Sequence, residues 1–266
     1  MHPNGAPQTA TTPFDLSGRK GLVVGVANAD SIAWGCARAL RAAGADLAIT
    51  YLNARAEPHV RPLAEAVESP LVLPLDVESD GDADALFAAV AKRWGRLDFL
   101  IHSIAFAPAA DLQGRVVDCS LTGFQRAMHV SCYSLIDLAR RAEPLMTNGG
   151  AIVTMSFYGA DKVVGRYNLM GPVKAALQST VRYLANELAP GGVRVHAVSA
   201  GPLRTRAASG LAEFDNLVTD AQARTPGGRL VSIDDVGATS VFLVSDAGRG
   251  LTGETVFVDG GRHCVG

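Results

Sequence analysis

The sequence predicts one α/β domain built on a doubly wound parallel sheet, and three observations lead to that prediction. From Lys20 onward, short runs rich in β-branched residues alternate with longer helical patterns. Most of the short runs are almost continuously apolar, as expected of strands that helices cover on both faces. Turn signals such as Asn148-Gly149-Gly150 and Pro190-Gly191-Gly192 separate a helix from the strand that follows it. Strands that are joined through helices in this way form a parallel sheet with right-handed crossovers.

Seven strands and five long helices follow from these patterns. The strands are expected at Gly21–Val26, Asp46–Tyr51, Leu71–Val77, Leu97–Ser103, Ala151–Phe157, Val193–Ser199 and Thr255–Asp259. The helices are expected at Ser31–Ala43, Asp82–Trp94, Leu121–Leu145, Tyr167–Leu188 and Asp234–Val244. Because there is no internal repeat and no linker-like change in composition, we expect a single Rossmann-type domain over residues 14–266.

Composition excludes several classes of protein. With 48% apolar and 19% charged residues and a net charge of −2, the chain offers no basic surface for nucleic acid. Four widely spaced cysteines and six histidines without metal-ligand spacing predict a reduced, cytoplasmic setting and no metal. No apolar run approaches the ~18–20 residues that span a bilayer, so no membrane partner is expected. Residues 1–13 lack the features of a secretory signal and are expected to be a disordered tail.

The first strand runs into a small-residue turn of the kind that binds nucleotides. The turn contains Gly25 and Ala27, and Ser31 and Ile32 open the helix that follows. Backbone N–H groups there can approach a pyrophosphate at the helix N-terminus, and Ser31 suits a helix cap. Gly25 and Gly35 are ten residues apart, which departs from Gly-x-Gly-x-x-Gly, and a tight turn without a ligand would look similar.

Small or polar residues also follow three other strands. Ligands of doubly wound sheets bind beyond the carboxyl ends of the strands. We therefore expect adenine at Asp76 and Val77, the cofactor path beside Ser103, Ile104 and Ala105, and the nicotinamide near Gly201.

The end of the second strand bears on the choice of cofactor. A carboxylate at that point would bind the adenosine 2′-hydroxyl and repel a 2′-phosphate. No carboxylate stands at the end of this strand, and Arg55 offers a positive charge close by. NADH is favoured on balance, and NADPH is left open.

Tyr167 and Lys174 are the candidate catalytic pair. A spacing of seven residues corresponds to about 10.5 Å of helical rise and places both side chains on one face. A phenol there can donate a hydrogen bond to the enolate oxygen that forms when hydride adds to a conjugated double bond. A nearby ammonium can hold the nicotinamide ribose and lower the pKa of the phenol. Such pairs are common on structural helices, and it is the position after the fifth strand that favours catalysis.

A second pair, Tyr158 and Lys162, competes with the first. It matches the Tyr-x-x-x-Lys string of ordinary short-chain dehydrogenases. The pair follows a strand directly and contains Gly159, so a loop is predicted, and a loop does not hold two side chains on one face. His102 lies within an apolar strand and is expected to be a satisfied core histidine.

The segment from Pro202 to Arg229 is long for a connection inside a compact domain. Leu211, Phe214, Leu217 and Val218 form an apolar stripe at helical spacing. The segment is therefore either a packed surface helix or a flap over an apolar substrate.

Taken together, these strings resemble the enoyl-[acyl-carrier-protein] reductases of bacterial fatty acid synthesis, a divergent branch of the short-chain dehydrogenases. The resemblance runs from about Leu16 to Gly261. Its motifs are Gly25-Val26-Ala27 with Ser31-Ile32-Ala33-Trp34-Gly35, His102-Ser103-Ile104-Ala105-Phe106-Ala107-Pro108, Tyr167-Asn168-Leu169-Met170-Gly171 with Lys174, Ser199-Ala200-Gly201-Pro202-Leu203-Arg204-Thr205 and Val258-Asp259-Gly260-Gly261.

The resemblance implies a homotetramer that reduces trans-2-enoyl thioesters of acyl carrier protein or CoA, usually with NADH. It gives Tyr167 the enolate-stabilising role and Lys174 the ribose-binding role, and adds Leu203 and Thr205 to the cofactor site. It also implies a flexible substrate loop at about Leu203–Asn216, which favours the flap. The substrate side would be lined by Phe106, Ala107, Phe157, Tyr158 and Met170.

Two residues depart from the family pattern. Many members have a tyrosine where this chain has Phe157, although the mycobacterial long-chain enoyl reductase is similar in having phenylalanine there. Leu52 replaces a residue that is polar near the adenosine in many relatives. Two alternatives therefore stay open: a reductase of another small enone or carbonyl, and a cofactor-binding paralogue with little turnover.

Overall fold

The computed structural model describes residues 12–203, 205 and 214–265, and a seven-stranded parallel sheet forms its centre. The strands are β1 (Lys20–Val24), β2 (Asp46–Tyr51), β3 (Leu71–Pro74), β4 (Phe99–His102), β5 (Gly150–Ser156), β6 (Val193–Ala200) and β7 (Thr255–Val258). Their order across the sheet is β3-β2-β1-β4-β5-β6-β7, and every described pairing is parallel. The predicted fold class is confirmed.

Helices cover both faces of the sheet. They are α1 (Ile32–Ala42), α2 (Glu57–Ala66), α3 (Asp82–Trp94), α4 (Ala109–Gln113), α5 (Leu121–Met128), α6 (Ser134–Ala142), α7 (Met170–Leu188), α8 (Phe214–Arg224) and α9 (Ile233–Val244). One face packs on α1, α2 and α9, and the other packs on α3, α6 and α7. Strands β1 and β3 end two and three residues before their predicted limits, because the residues beyond them form turns.

The long helix predicted at Leu121–Leu145 is interrupted. Between α5 and α6, residues His129–Tyr133 form a π-helical turn, and Glu143–Leu145 form a short 3₁₀ turn. The Ser134 hydroxyl donates to the Val130 carbonyl at 2.7 Å, a side-chain bond that competes with regular helical bonding. Apolar periodicity alone does not reveal such an insertion.

Helix α7 begins three residues later than predicted. Arg166 and Asn168, on either side of Tyr167, have φ angles of 66° and 43°, which lie in the left-handed region and not in the helical one. Pro172 is the third residue of the helix, where its missing N–H is tolerated. Tyr167 therefore lies in a turn before the helix, and the expectation that Tyr167 and Lys174 share two helical turns is wrong.

Helices α1 and α9 approach each other closely at two glycines. A Cβ atom on Gly35 would lie 2.3 Å from the Ile233 carbonyl oxygen, and one on Gly237 would lie 2.5 Å from the Gly35 carbonyl oxygen. Gly35 is therefore required for packing between helices, whereas the sequence had grouped it with the nucleotide-binding turn.

Part of the predicted tail is attached to the domain. The Pro13 carbonyl accepts a hydrogen bond from the Ala247 N–H at 3.0 Å, and the Phe14 ring lies 6.4 Å from the Phe242 ring. Residues 1–11 lie outside the described residues. In the part of the chain that the structure describes, every helix is too short or too polar to cross a bilayer.

Candidate active site

The parallel sheet brings the ends of four neighbouring strands to one edge. Strands β1, β4, β5 and β6 are adjacent, so Gly25, Ser103, Phe157 and Gly201 all follow strand ends at that edge. Gly25 has a φ angle of 98°, and a Cβ atom on it would lie 2.1 Å from the Ser103 carbonyl oxygen. The Ser103 N–H donates to the Val24 carbonyl at 3.1 Å. The turn after β1 and the loop after β4 thus pack backbone against backbone.

Helix α1 begins at this edge with no side chain capping its N-terminus. The Ser31 hydroxyl donates to the Asn28 carbonyl at 2.7 Å and accepts a long bond of 3.5 Å from the Ala27 N–H. It makes no capping bond to the helix, and the first turn, which starts at Ile32, contains no acidic residue. An uncapped N-terminus without acidic neighbours attracts anions such as phosphate.

The turn after β3, where the sequence predicts the adenine site, is hydrogen-bonded to the first residue of α3. The Asp76 N–H donates to the Asp82 carboxylate at 3.0 Å, and the Asp76 carboxylate accepts from the Glu78 N–H at 3.0 Å. Val77 and Ile104 pack against the same part of the core. At the end of β2, the Leu52 side chain is 55% exposed and Arg55 is also exposed. The next carboxylate along the chain is that of Glu57 at the start of α2, which is hydrogen-bonded to the Tyr51 side chain.

A cavity of about 290 Å³ opens between the turn before α1 and the chain from the end of β6 to the start of α9. Its lining residues are Asp30, Pro202, Leu203, Val218, Leu230, Val231, Ser232 and Ile233. The Thr205 N–H donates to the Leu203 carbonyl at 2.8 Å, and the Gly201 N–H donates to the Val258 carbonyl at 2.8 Å. The cavity lies on the nucleotide side of the edge. Arg204 and residues 206–213 of the predicted substrate loop lie outside the described residues.

Lys174 lies in the second turn of α7 with its ammonium buried behind the end of β5. Its Nζ atom donates to the Met155 carbonyl at 2.7 Å, and the side chain is 5% exposed. Burial lowers the pKa of Lys174 to about 8. At neutral pH the group is therefore still mostly an ammonium, with N–H donors beyond the one that Met155 uses.

The Tyr167 ring is buried beside the same strand end. Its centroid lies 4.7 Å from that of Phe157, and a Cβ atom on Gly159 would lie 2.6 Å from the Tyr167 ring. Met170 and Val173 pack in the same cluster. Burial raises the pKa of Tyr167, so the expectation that Lys174 lowers it is wrong. The phenol stays protonated at neutral pH and keeps a hydrogen to donate.

The second pair is arranged differently. Tyr158 begins a short 3₁₀ turn, and the Arg262 guanidinium carbon lies 5.5 Å from the centroid of its buried ring. The exposed Lys162 Nζ donates to the His263 carbonyl at 2.7 Å. Lys162 is therefore bonded to the C-terminal segment, and the preference for Tyr167 and Lys174 stays a prediction.

Two groups near the site were not identified from the sequence. Ser131, in the π-helical turn, binds both backbone groups of Phe106, and the Arg126 guanidinium carbon lies 4.6 Å from the centroid of the Phe106 ring. The sequence offered one signal for Ser131, namely a serine at a position where the apolar helical pattern predicts burial.

His102 has both ring nitrogens bonded, to Thr154 at 2.8 Å and to Ser134 at 2.9 Å, and burial lowers its pKa to about 3. It is a satisfied core histidine.

Comparison with known proteins gives concordant results. A family described as "Enoyl-(Acyl carrier protein) reductase" matches residues 25–263. The chain is 46% identical over 256 residues to the NADH enoyl-[acyl-carrier-protein] reductase of Synechocystis, covering 95% of this chain and 99% of that protein. The Aquifex aeolicus protein of the same name is 48% identical over 252 residues, covering 94% of this chain and 93% of that one.

Solved structures agree with this. The Anaplasma phagocytophilum reductase in complex with NAD superimposes with a TM-score of 0.91 at 49% identity, covering 94% of this chain and 96% of that one. The Bacillus cereus enoyl-acyl carrier protein reductase, solved with NADP⁺ and an indole naphthyridinone, gives 0.92 at 45% identity, covering 94% and 98%.

Proposed function

The chain belongs to the enoyl-(acyl carrier protein) reductase family, and we propose that it reduces the trans-2 double bond of enoyl thioesters with NADH in fatty acid elongation. The observation that carries the proposal is the buried pair at the end of β5. Tyr167 keeps its phenolic hydrogen there and Lys174 keeps its charge, beside an edge of the sheet that suits a dinucleotide.

The residues at this edge fit such a cofactor. We assign the pyrophosphate to the turn that contains Gly25, Ala27 and Ser31 and to the uncapped helix start at Ile32, where a side chain at Gly25 would collide with the next loop. The Ala27 and Ser31 N–H groups are bonded within the turn, so the free donors are those at the start of α1. On the adenine side stand Asp76 and Val77, and along the path to the nicotinamide stand Ser103, Ile104, Ala105, Gly201, Leu203 and Thr205. NADH supplies the hydride when it is bound.

Lys174 and Tyr167 divide the remaining work. The Lys174 ammonium donates to the ribose hydroxyls with the hydrogens that Met155 does not use. Tyr167 donates its hydrogen bond to the thioester carbonyl oxygen, where negative charge develops as the double bond is reduced. A buried neutral phenol makes this bond strong, because the surroundings are poor in water. Lys174 is held in place by α7 and by its bond to β5, and Tyr167 is held by the turn that precedes α7.

The substrate side combines aromatic and apolar groups. Phe106, Ala107, Phe157, Tyr158 and Met170 are the residues that we assign to it, and Phe157 lies in ring contact with both tyrosines, at 4.7 Å from each. Such a surface suits an acyl chain. We assign the thioester to acyl carrier protein, after which the related enzymes are named. From the family resemblance and the composition we also propose a cytoplasmic homotetramer.

NADH is the proposed donor. The relatives above are named NADH enzymes and the Anaplasma reductase was solved with NAD, whereas the Bacillus cereus enzyme was solved with NADP⁺. In this chain residues 52–56, directly after β2, contain no carboxylate, and the Glu57 carboxylate that follows is paired with Arg61, which lowers the usual barrier to a 2′-phosphate. We therefore expect a preference for NADH that is modest in size.

The test is a matrix of both reduced nicotinamides against enoyl thioesters of increasing chain length, on CoA and on acyl carrier protein. Oxidation is followed at 340 nm, with the matching saturated thioesters as blanks. We expect turnover of the enoyl thioesters and faster turnover with NADH. A protein that reduced ketones or simple enones but no enoyl thioester would contradict the proposal and favour the alternative that Phe157 raises.

A further inference from the structure

A buried serine ties the loop after β4 to the π-helical turn between α5 and α6. The Ser131 hydroxyl accepts a hydrogen bond from the Phe106 N–H at 2.9 Å and donates one to the Phe106 carbonyl at 3.0 Å. The Ser131 side chain is fully buried. One hydroxyl thus satisfies both backbone groups of a single loop residue, at a point where water cannot replace it.

The π-helical turn makes this contact possible. A π turn contains one residue more than an α-helical turn, and such insertions are frequent at functional sites. Here two hydroxyls are directed at the sheet: Ser131 of the π turn binds the loop after β4, and Ser134, the first residue of α6, lies 2.9 Å from Nε2 of His102, the last residue of β4. The junction of the π turn and α6 therefore holds the end of the strand and the loop beyond it.

The two halves of this loop are anchored separately. The half on the cofactor side starts at Ser103, whose N–H donates to Val24 and whose carbonyl packs against Gly25. The half on the substrate side starts at Phe106, whose backbone is bonded to Ser131. Losing Ser131 would release the second half and leave the first in place.

We propose that Ser131 is a positioning residue that holds Phe106 for the enoyl thioester. The assignment rests on the proposed function, because it takes the loop from Phe106 onward to be the substrate side. Ser131 touches neither the cofactor nor the substrate in this account. It acts through the Phe106 backbone, and its loss affects productive binding of the thioester more than binding of NADH.

The test compares Ser131→Ala with Ser134→Ala, which removes a similarly buried hydroxyl from the start of α6, directly after the π turn, and unpairs His102 in place of Phe106. For Ser131→Ala we expect kcat/KM for an enoyl-CoA to fall about tenfold, and the Kd of NADH to change less than about twofold. Ser134→Ala should lower the melting temperature at least as much and keep kcat/KM within about twofold. Ser131→Thr retains the hydroxyl and should recover most of the lost kcat/KM.

Hydrogen–deuterium exchange of peptides that cover residues 103–108 provides a readout independent of turnover. Exchange should speed up in Ser131→Ala and stay at the wild-type rate in Ser134→Ala. Equal losses of kcat/KM in the two alanine variants would overturn the proposal, because they would indicate general destabilisation. If the wild-type protein reduces no enoyl thioester, the proposed function fails. The hold on Phe106 is then judged by exchange alone, and unchanged exchange in Ser131→Ala overturns it.

Discussion

Two tyrosine–lysine pairs follow the end of β5, with their tyrosines nine and their lysines twelve residues apart, and their surroundings differ at the lysine more than at the tyrosine. Tyr167 and Tyr158 are both 8% exposed, and burial raises the pKa of each phenol. Lys174 is buried with its ammonium on a strand carbonyl, whereas the exposed Lys162 binds a carbonyl of the C-terminal segment. Both pairs therefore contain a protonated phenol, but the buried lysine at the sheet edge belongs to the Tyr167–Lys174 pair.

The largest expected effect separates the two phenols. Tyr167→Phe should lower kcat about 10²–10³-fold, because it removes a hydrogen-bond donor from the developing oxyanion. Tyr158→Phe keeps the ring against Arg262 and should cost at most about threefold. Steady-state rates with one enoyl thioester at saturating NADH measure both. A larger loss in Tyr158→Phe than in Tyr167→Phe would reverse the assignment of the catalytic pair.

The next effect separates the two lysines. Lys174→Ala should weaken NADH binding about 10–100-fold, the range expected for lost hydrogen bonds from a charged donor. Lys162→Ala removes an exposed contact to the C-terminal segment and should leave the Kd within about twofold. Fluorescence titration with NADH measures both constants. An unchanged Kd in Lys174→Ala would contradict its proposed role in holding the ribose.

Much of this arrangement follows from the sequence, and the parts that do not have a local physical cause. Continuous apolar runs predict the parallel sheet, and parallel strands place Gly25, Ser103 and Gly201 at one edge without any knowledge of side-chain contacts. The family prediction, which rests on long motifs, is confirmed as well. Local backbone geometry was not predictable in the same way, because it depends on single residues that apolar periodicity does not register.

Tyr167 shows this most clearly. A spacing of seven residues predicts one helical face, yet the positive φ angles at Arg166 and Asn168 place Tyr167 in a turn. The tyrosine reaches the site through its contacts with Phe157 and Gly159. The pair stays the proposed catalytic one, but the helical geometry used to support it is wrong. The π-helical turn that contains Ser131 was missed for a related reason, since an insertion of one residue leaves the apolar pattern nearly intact.

A smaller effect concerns pH. The pKa of Lys174 is lowered by burial to about 8, so the ammonium is present below about pH 8 and is lost as the pH rises through that value. The affinity for NADH should therefore fall between about pH 7.5 and 9 in the wild-type protein. In Lys174→Ala the affinity should stay flat over this range. Titrations at constant ionic strength measure both profiles, and parallel profiles would assign the titration to another group.

The smallest expected effect concerns Phe157, which lies against both tyrosines. Phe157→Tyr adds a hydroxyl next to Tyr167, at a position that is only partly buried, so the new group is not stranded without a partner. One additional neutral hydrogen bond to the thioester carbonyl should raise kcat about two- to fivefold. Phe157→Leu is the matched control: it removes the ring that packs on Tyr167 and should lower kcat. A fall in kcat in Phe157→Tyr at an unchanged melting temperature would contradict this expectation and would indicate that the phenylalanine itself suits the substrate. Phe157, which contacts both tyrosines, would then contribute to the functional difference between the two tyrosine–lysine pairs.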